Sequence, residues 1–257
     1  MKAPGTSRGK YEGVVQILRY NVHYYVGSLC ALLFIVILLR LNLLPPLLDA
    51  ALGGIAGLAA FWSASSLIVS YYIYDHAAVT GWHWLPQTLP YPPRRWLTIH
   101  AGLDESTKSL TRFFPGTAYV VLDIYDRGEM TQPSIARARR KHPCGQPAVR
   151  CRLDALPLSD QGRDTLFLLF TAHEIREPAR RVVFLREASR TLAAPGQILL
   201  VEHLRDWKNF VAFGPGFFHF YSRREWLRVA WEAGLRVERE FLVTPFVKCF
   251  LMSKSAK

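Results

Sequence analysis

Several histidines and carboxylates downstream of residue 95 fall just after short apolar runs. His100 leads into Ala101-Gly102-Leu103-Asp104, and Asp123 is followed by Tyr125 and Asp126. Further on come Ala172-His173-Glu174-Ile175-Arg176 and then Glu202-His203, with Arg205, Asp206 and Asn209 close behind. An imidazole titrates near neutrality, so it can take a proton from a hydroxyl or thiol. His173, Glu174 and His203 are therefore the candidate catalytic residues. The plainer alternatives are a Glu174 that caps the next helix, a structural His173, and an Arg205–Asp206 pair of little energetic consequence on a surface. His100, His173, Glu174 and His203 are also types that bind metal ions. No H-E-x-x-H spacing orders them, and no metal is expected.

These residues need a frame that brings them together. After a Pro-rich joint, LPQTLPYPPRR at 85–95, short apolar runs alternate with helical spacing. Strands are expected at 96–100, 118–123, 149–153, 165–170 and 197–202, and two more at 236–243 and 246–253. Helices are expected from Ser106 to Phe113 and from Pro178 to Leu192, the second with proline at its tolerated first position. Ser222-Arg-Arg-Glu225 is a capping box that opens a last helix ending at Gly234. Such alternation predicts a doubly wound α/β sheet, whose ligands bind outside the carboxyl ends of its parallel strands. Every polar group named above sits at such an end.

Residues 96–253 resemble a class I S-adenosylmethionine-dependent methyltransferase domain. The resemblance rests on FFPGTAYVVLDIYD (113–126), CRLDALPLSDQGRDTLFLLF (151–170) and LAAPGQILLVEHLRD (192–206), in that order. It implies a Rossmann-like sheet and S-adenosylmethionine as cofactor. Asp123 would hold the ribose hydroxyls, Asp154 would lie beside the adenine, and Gly102 would let backbone approach the methionine part. The family's first loop is an acidic residue followed by G-x-G-x-G. Here Thr98 stands at the acid, His100 and Asp104 at the outer glycines, and Gly102 alone is kept.

The first third of the chain differs in character. Residues 21–80 hold only Arg40, Asp49 and Asp75 of the 52 charged side chains. Two apolar runs, 26–44 and 50–73, each match the ~20 residues that a helix needs to cross a bilayer. Pro45-Pro46 breaks the helix between them. Gly53 and Gly57 form a small face that would let the two helices approach closely. Lys2, Arg8, Lys10 and Arg19 before the pair, with Arg94 and Arg95 after it, place both termini in the cytoplasm of a two-pass inner-membrane protein. Tyr20, Tyr24, Tyr25, Tyr71, Tyr72, Tyr74, Trp82 and Trp84 suggest an aromatic belt on that side. A cleaved signal peptide would explain one run but not two, and a buried hairpin of a water-soluble protein is the remaining alternative.

The chain is strongly basic, with 32 Lys+Arg against 20 Asp+Glu, a net charge of +12. Its densest basic run is Arg137, Arg139, Arg140, Lys141 and His142, either a solvated face or a match for anionic lipid headgroups. No nucleic-acid-binding motif accompanies it. Four cysteines without a C-x-x-C pair fit a reducing compartment. NFVAFGPGFFHFYS (209–222) reads as an apolar loop, a lid or wall over a hydrophobic substrate, with His219 and Tyr221 as polar tips.

The expected organisation is a cytoplasmic segment (1–25), a transmembrane helical hairpin (26–74), a juxtamembrane linker (75–95) and a methyltransferase-like domain (96–257). The expected activity is methyl transfer to a lipophilic small molecule, such as a lipid, quinone or polyene precursor, at the cytoplasmic membrane face. The altered glycine loop carries the alternative, a non-catalytic membrane binding or assembly protein that no longer uses the cofactor.

Overall fold

The computed structural model describes residues 9–77, 79–141 and 147–255. The chain divides into two compact units. One takes the chain up to Ala78 together with Phe210–Pro215, and the other takes Val79–Asn209 and the chain from Gly216 onward.

The first unit opens with helix α1 (Glu12–Tyr20), which the sequence reading did not anticipate. Its first turn is capped by a distant carboxylate, Asp75, which accepts from the amides of Gly13 and Val14 at 2.7 and 2.8 Å. That charge also complements the positive end of the helix dipole. Helices α2 (Val22–Leu41) and α3 (Pro46–Tyr71) follow, and α3 continues into a π-helical turn, Tyr72–His76. By length and composition both are able to cross a membrane, and neither buries its apolar window inside the protein. The break falls earlier than expected, because Asn42 adopts a left-handed conformation (φ 50°) and ends α2. Pro46 instead opens α3, where its missing N–H costs nothing.

Two details of the expected hairpin are corrected. Gly53 and Gly57 face open space, with no atom within 4 Å of where a Cβ would stand. Hydroxyl pairs join the helices instead, Tyr25 Oη with Ser66 Oγ at 3.1 Å and Ser28 Oγ with Ser63 Oγ at 3.0 Å. Trp82 leaves the proposed belt, since it is 1% exposed and its indole donates to the Glu105 carbonyl. The Trp84 indole likewise donates to the Val79 carbonyl. Both tryptophans belong to the second unit.

The second unit is built on a seven-stranded sheet of order β3-β2-β1-β4-β5-β7-β6. Its strands are β1 (Arg95–His100), β2 (Ala118–Asp123), β3 (Val149–Arg150), β4 (Arg163–Leu169), β5 (Leu192–His203), β6 (Leu235–Thr244) and β7 (Val247–Lys254). The first five run parallel and β7 pairs antiparallel with both β5 and β6. Central strands read as continuous apolar runs because both faces are covered; Leu97, Ile99, Leu166, Leu168, Ile198 and Leu200 are all buried. Helices α4 (Thr107–Phe113), α5 (Pro133–Lys141), α6 (Pro178–Thr191) and α8 (Arg223–Glu232) complete it, and α7 (Trp207–Phe213) begins in it before Phe210 passes to the first unit.

Strand β3 is shorter than the expected 149–153. It pairs only with the last two residues of β2, after which Arg152 turns back to bridge Ala155. The segment 209–222 is not a loop: α7 occupies its start and a 3₁₀ helix, Gly214–His219, most of the rest. The expected capping box is present, with the Glu225 amide donating to Ser222 Oγ at 3.2 Å. The sheet order reverses between β1 and β4, where a doubly wound sheet opens its ligand crevice. Thr171 Oγ1 ties the two lips together by donating to the Ile99 carbonyl at 2.9 Å.

Candidate functional site

Strand ends deliver two groups of polar side chains to the crevice. The first gathers at the ends of β1 and β2. Gly102 takes φ +98°, a conformation that an L side chain rarely adopts, so the central glycine is demanded by the turn. The residues in place of the outer glycines are committed locally. His100 Nδ1 accepts from the Gly102 amide at 3.2 Å, and Asp104 accepts from the amides of Ser106 and Thr107 at the start of α4. Burial lowers the His100 pKa, with Arg139 adding to the effect, although Asp123 and Asp104 oppose it.

Asp123 is buried at the end of β2, where its Oδ1 accepts from the Tyr125 amide at 3.0 Å. Its other oxygen is paired with Arg139 at 2.5 Å, an arginine that reaches over from α5 with its guanidinium above the Tyr125 ring. A Cβ on Gly102 would meet Tyr125 and Arg139 at 3.2 and 3.3 Å. A glycine turn beside a strand-end carboxylate is backbone that fits S-adenosylmethionine, but Tyr125 and Arg139 crowd the glycine and Arg139 occupies the carboxylate. Asp154 lies in the turn after β3 and is held by Arg152 and Arg180, which keep its pKa well below the usual carboxylate range. Of the expected basic run, Arg137 to Lys141 lie on α5, and His142 is outside the described residues.

The second group gathers at the ends of β4 and β5. Glu202, fully buried, organises it. One oxygen accepts from the amides of Ala172 and His173 at 2.9 and 3.2 Å, and the other bonds His173 Nδ1 at 2.6 Å. Ring and backbone of His173 are thus fixed by one carboxylate, and Nε2 is turned toward Glu174, 3.3 Å from its Oε1. Glu174 Oε2 is buried with no hydrogen-bond partner among the described residues. Burial works against charge on His173, but Glu202 and Glu174 outweigh it and hold the pKa up to about 10. Burial would likewise raise the Glu174 pKa, and the His173 charge reverses this to a net lowering.

His219, at the end of the 3₁₀ helix, completes the cluster with its ring 5.0 Å from that of His173. Arg176 NH1 lies 3.2 Å from His219 Nδ1 and also donates to the His219 and His173 carbonyls. Burial pushes the His219 pKa down to about 3, and the neighbouring His173 charge acts in the same direction. His203 stands apart from this cluster. Its ring is stacked between Phe170 and Phe220, and its Nδ1 lies 3.0 Å from the Phe246 carbonyl. Burial lowers its pKa to about 4, so it forms a neutral aromatic wall.

The ligand-type atoms that converge are those of His173, Glu174 and His219, within 4.8 Å of one another, rather than the set with His100 and His203. A metal-bound imidazole keeps an N–H on its far nitrogen, donated to an acceptor. Arg176 is itself a donor 3.2 Å from His219 Nδ1, so that outer acceptor is lacking on His219 when Nε2 serves as the ligand atom.

No protein-family model matches the chain, and no curated protein does. Solved structures do resemble it. Mitomycin 7-O-methyltransferase MmcR is 14% identical with a TM-score of 0.57, over 97% of this chain and 74% of that one. The PH0226 protein from Pyrococcus horikoshii OT3 is 13% identical with a TM-score of 0.52, over 71% and 91%. The pyocyanin biosynthetic protein PhzM is 17% identical with a TM-score of 0.51, over 82% and 68%. At these identities the likeness is one of fold.

Proposed function

From a chain that carries the class I methyltransferase fold, we propose a membrane-anchored, S-adenosylmethionine-dependent methyltransferase acting on the hydroxyl of a lipophilic small molecule. The observation that carries this reading is the Glu202–His173–Glu174 cluster at the ends of β4 and β5, across the crevice from Asp123 and Gly102. One structural neighbour is by its name an O-methyltransferase, mitomycin 7-O-methyltransferase MmcR, which favours an oxygen acceptor here.

S-adenosylmethionine, when bound, supplies an electrophilic methyl group. Gly102 and Asp123 would hold it after Arg139 withdraws, and the turn carrying Asp154 would border it. The chain's own residues then orient the acceptor and remove its proton. Glu174 Oε2, buried and unpaired, accepts a hydrogen bond from the hydroxyl. His173 Nε2 takes the proton as the oxygen gains the methyl, while Glu202 holds the ring in place and offsets the charge that forms. Placing nucleophile and methyl in line accounts for much of the acceleration. Two span-length helices support an anchor in the bilayer, where a lipophilic acceptor would reside. Residue placement supports Gly102 and Asp123 as cofactor contacts and His173 and Glu174 as acceptor contacts. His203 is assigned to the wall.

The test is transfer of labelled methyl from S-adenosylmethionine into material extractable by organic solvent, using membranes that contain the full chain. Transfer that is lost in His173→Ala supports the reading. The second reading, a non-catalytic binding protein, is favoured by the Arg139–Asp123 pair and gains ground if wild-type membranes transfer nothing.

A further inference from the structure

The segment from Trp207 to His219 lies at the lip of the acceptor crevice and supplies His219, yet part of it belongs with the membrane helices. Phe210–Pro215 groups with the first unit. Phe210 packs edge-on against Trp62 of α3 at 5.4 Å, Ser65 Oγ donates to the Val211 carbonyl at 3.2 Å, and Gly214 sits so close to Trp62 that a Cβ would stand 2.6 Å from the indole. Around these contacts Trp207 is 71% exposed, Val211 46% and Phe218 60%. No acidic residue interrupts WKNFVAFGPGFFH.

The depth of the contact decides what that apolar surface meets. At ~1.5 Å per residue the 26 residues of α3 extend ~39 Å, about 9 Å more than the ~30 Å hydrocarbon layer. Even with all of that excess emerging at its C-terminal end, Ser65 falls at the hydrocarbon edge and Trp62 ~4–5 Å inside it. A segment seated on those two residues lies at the boundary between headgroups and acyl chains. Its composition fits such a place, with aromatic and aliphatic side chains beside Lys208 and Arg205.

The geometry points to a second membrane contact: α7 and the following 3₁₀ turn lie within the bilayer interface, and their exposed Trp207, Val211 and Phe218 are covered by lipid. This rests on the membrane reading proposed above and deepens it.

The test places the photoreactive residue p-benzoylphenylalanine in the full chain in vesicles of phosphatidylethanolamine and phosphatidylglycerol. It replaces Trp207 or Phe218, Leu33 as a residue of the first span, or Trp231, a 77% exposed residue of α8. Lipid adducts at 207 and 218 at least tenfold above those at 231, and comparable to those at 33, are expected. Adducts at 33 without adducts at 207 and 218 overturn the inference and leave the anchor standing. Absence at 33 as well overturns the anchor and the inference together. Quenching by bromine-labelled acyl chains, taken as the difference between wild type and Trp207→Phe, reads the same contact without the bulky probe. Equal quenching of both proteins contradicts it.

Discussion

His173 is the residue on which the proposed chemistry turns, and its surroundings make a definite pH prediction. Glu202 and Glu174 raise its pKa to about 10 against burial. At neutral pH only about one molecule in a thousand therefore carries the neutral base. Methyl transfer should rise about tenfold per pH unit above neutrality and level off near pH 10. Glu202→Gln removes a carboxylate that favours the imidazolium, so the rising limb moves to lower pH. A limb that stays in place under Glu202→Gln would mean that His173 is not the group titrating. His173→Ala should lower transfer by about 10²–10⁴-fold, the usual worth of a positioned base. Arg139 supports a prediction of opposite sign. Arg139→Gln frees the Asp123 carboxylate, and cofactor should bind at least tenfold more tightly by calorimetry; weaker binding would make Arg139 part of the site rather than its cover. Asp123 and His173 were legible in the sequence because each ends an apolar run. Arg139 was legible only as part of a basic run and His219 only as a polar tip of the expected wall, since they reach Asp123 and His173 only through the packing of α5 and of the 214–219 turn.

At the scale of elements, the turn that carries His173 is supported from beneath by an arginine with almost no exposure. Arg181 of α6, 2% exposed, donates to the carbonyls of Ile175 and Arg176, pairs with Glu225 of α8 and lies 3.7 Å from the centre of the Tyr221 ring. Glu225→Ala would leave that buried charge without its carboxylate, a change that costs about 3 kcal/mol or more. A fall in melting temperature of about 6–12 °C is expected, and a shift below about 2 °C in a thermal melt would show that the backbone carbonyls alone suffice. The strands were the most legible elements, because five- and six-residue apolar runs between turns leave few alternatives. Helix α7 was hidden by its aromatic, glycine and proline content, which suggests a loop until Trp62 and Phe210 are seen together. Helix α1 was hidden by its length, and it relies on Asp75, more than fifty residues away, for its cap.

For the whole molecule, charge asymmetry in the sequence separated a lipid-compatible part from an α/β part, and the structure divides the chain in a related way. The division falls at 78/79, inside the expected linker (75–95), because Val79, Trp82 and Leu85 are buried in the α/β unit. Arg94 and Arg95 amides also bond the Asp164 carboxylate there, and the Tyr91 carbonyl accepts from Gln197. The return of Phe210–Pro215 to the first unit had no signal in the sequence. The proposed two-pass topology predicts that N- and C-terminal tags are both cleaved by protease in inverted membrane vesicles and both protected in right-side-out ones. Tags that behave oppositely would contradict it.

The central claim is a working S-adenosylmethionine site in the crevice, and calorimetry on the full chain in detergent tests it most directly. Wild type, Arg139→Gln and Asp123→Ala should be titrated with the cofactor under the same conditions. Binding is predicted in wild type, stronger in Arg139→Gln and lost in Asp123→Ala. No heat at millimolar cofactor in either of the first two, with protein shown to be folded by its melting transition, would contradict the claim and leave the non-catalytic reading in its place.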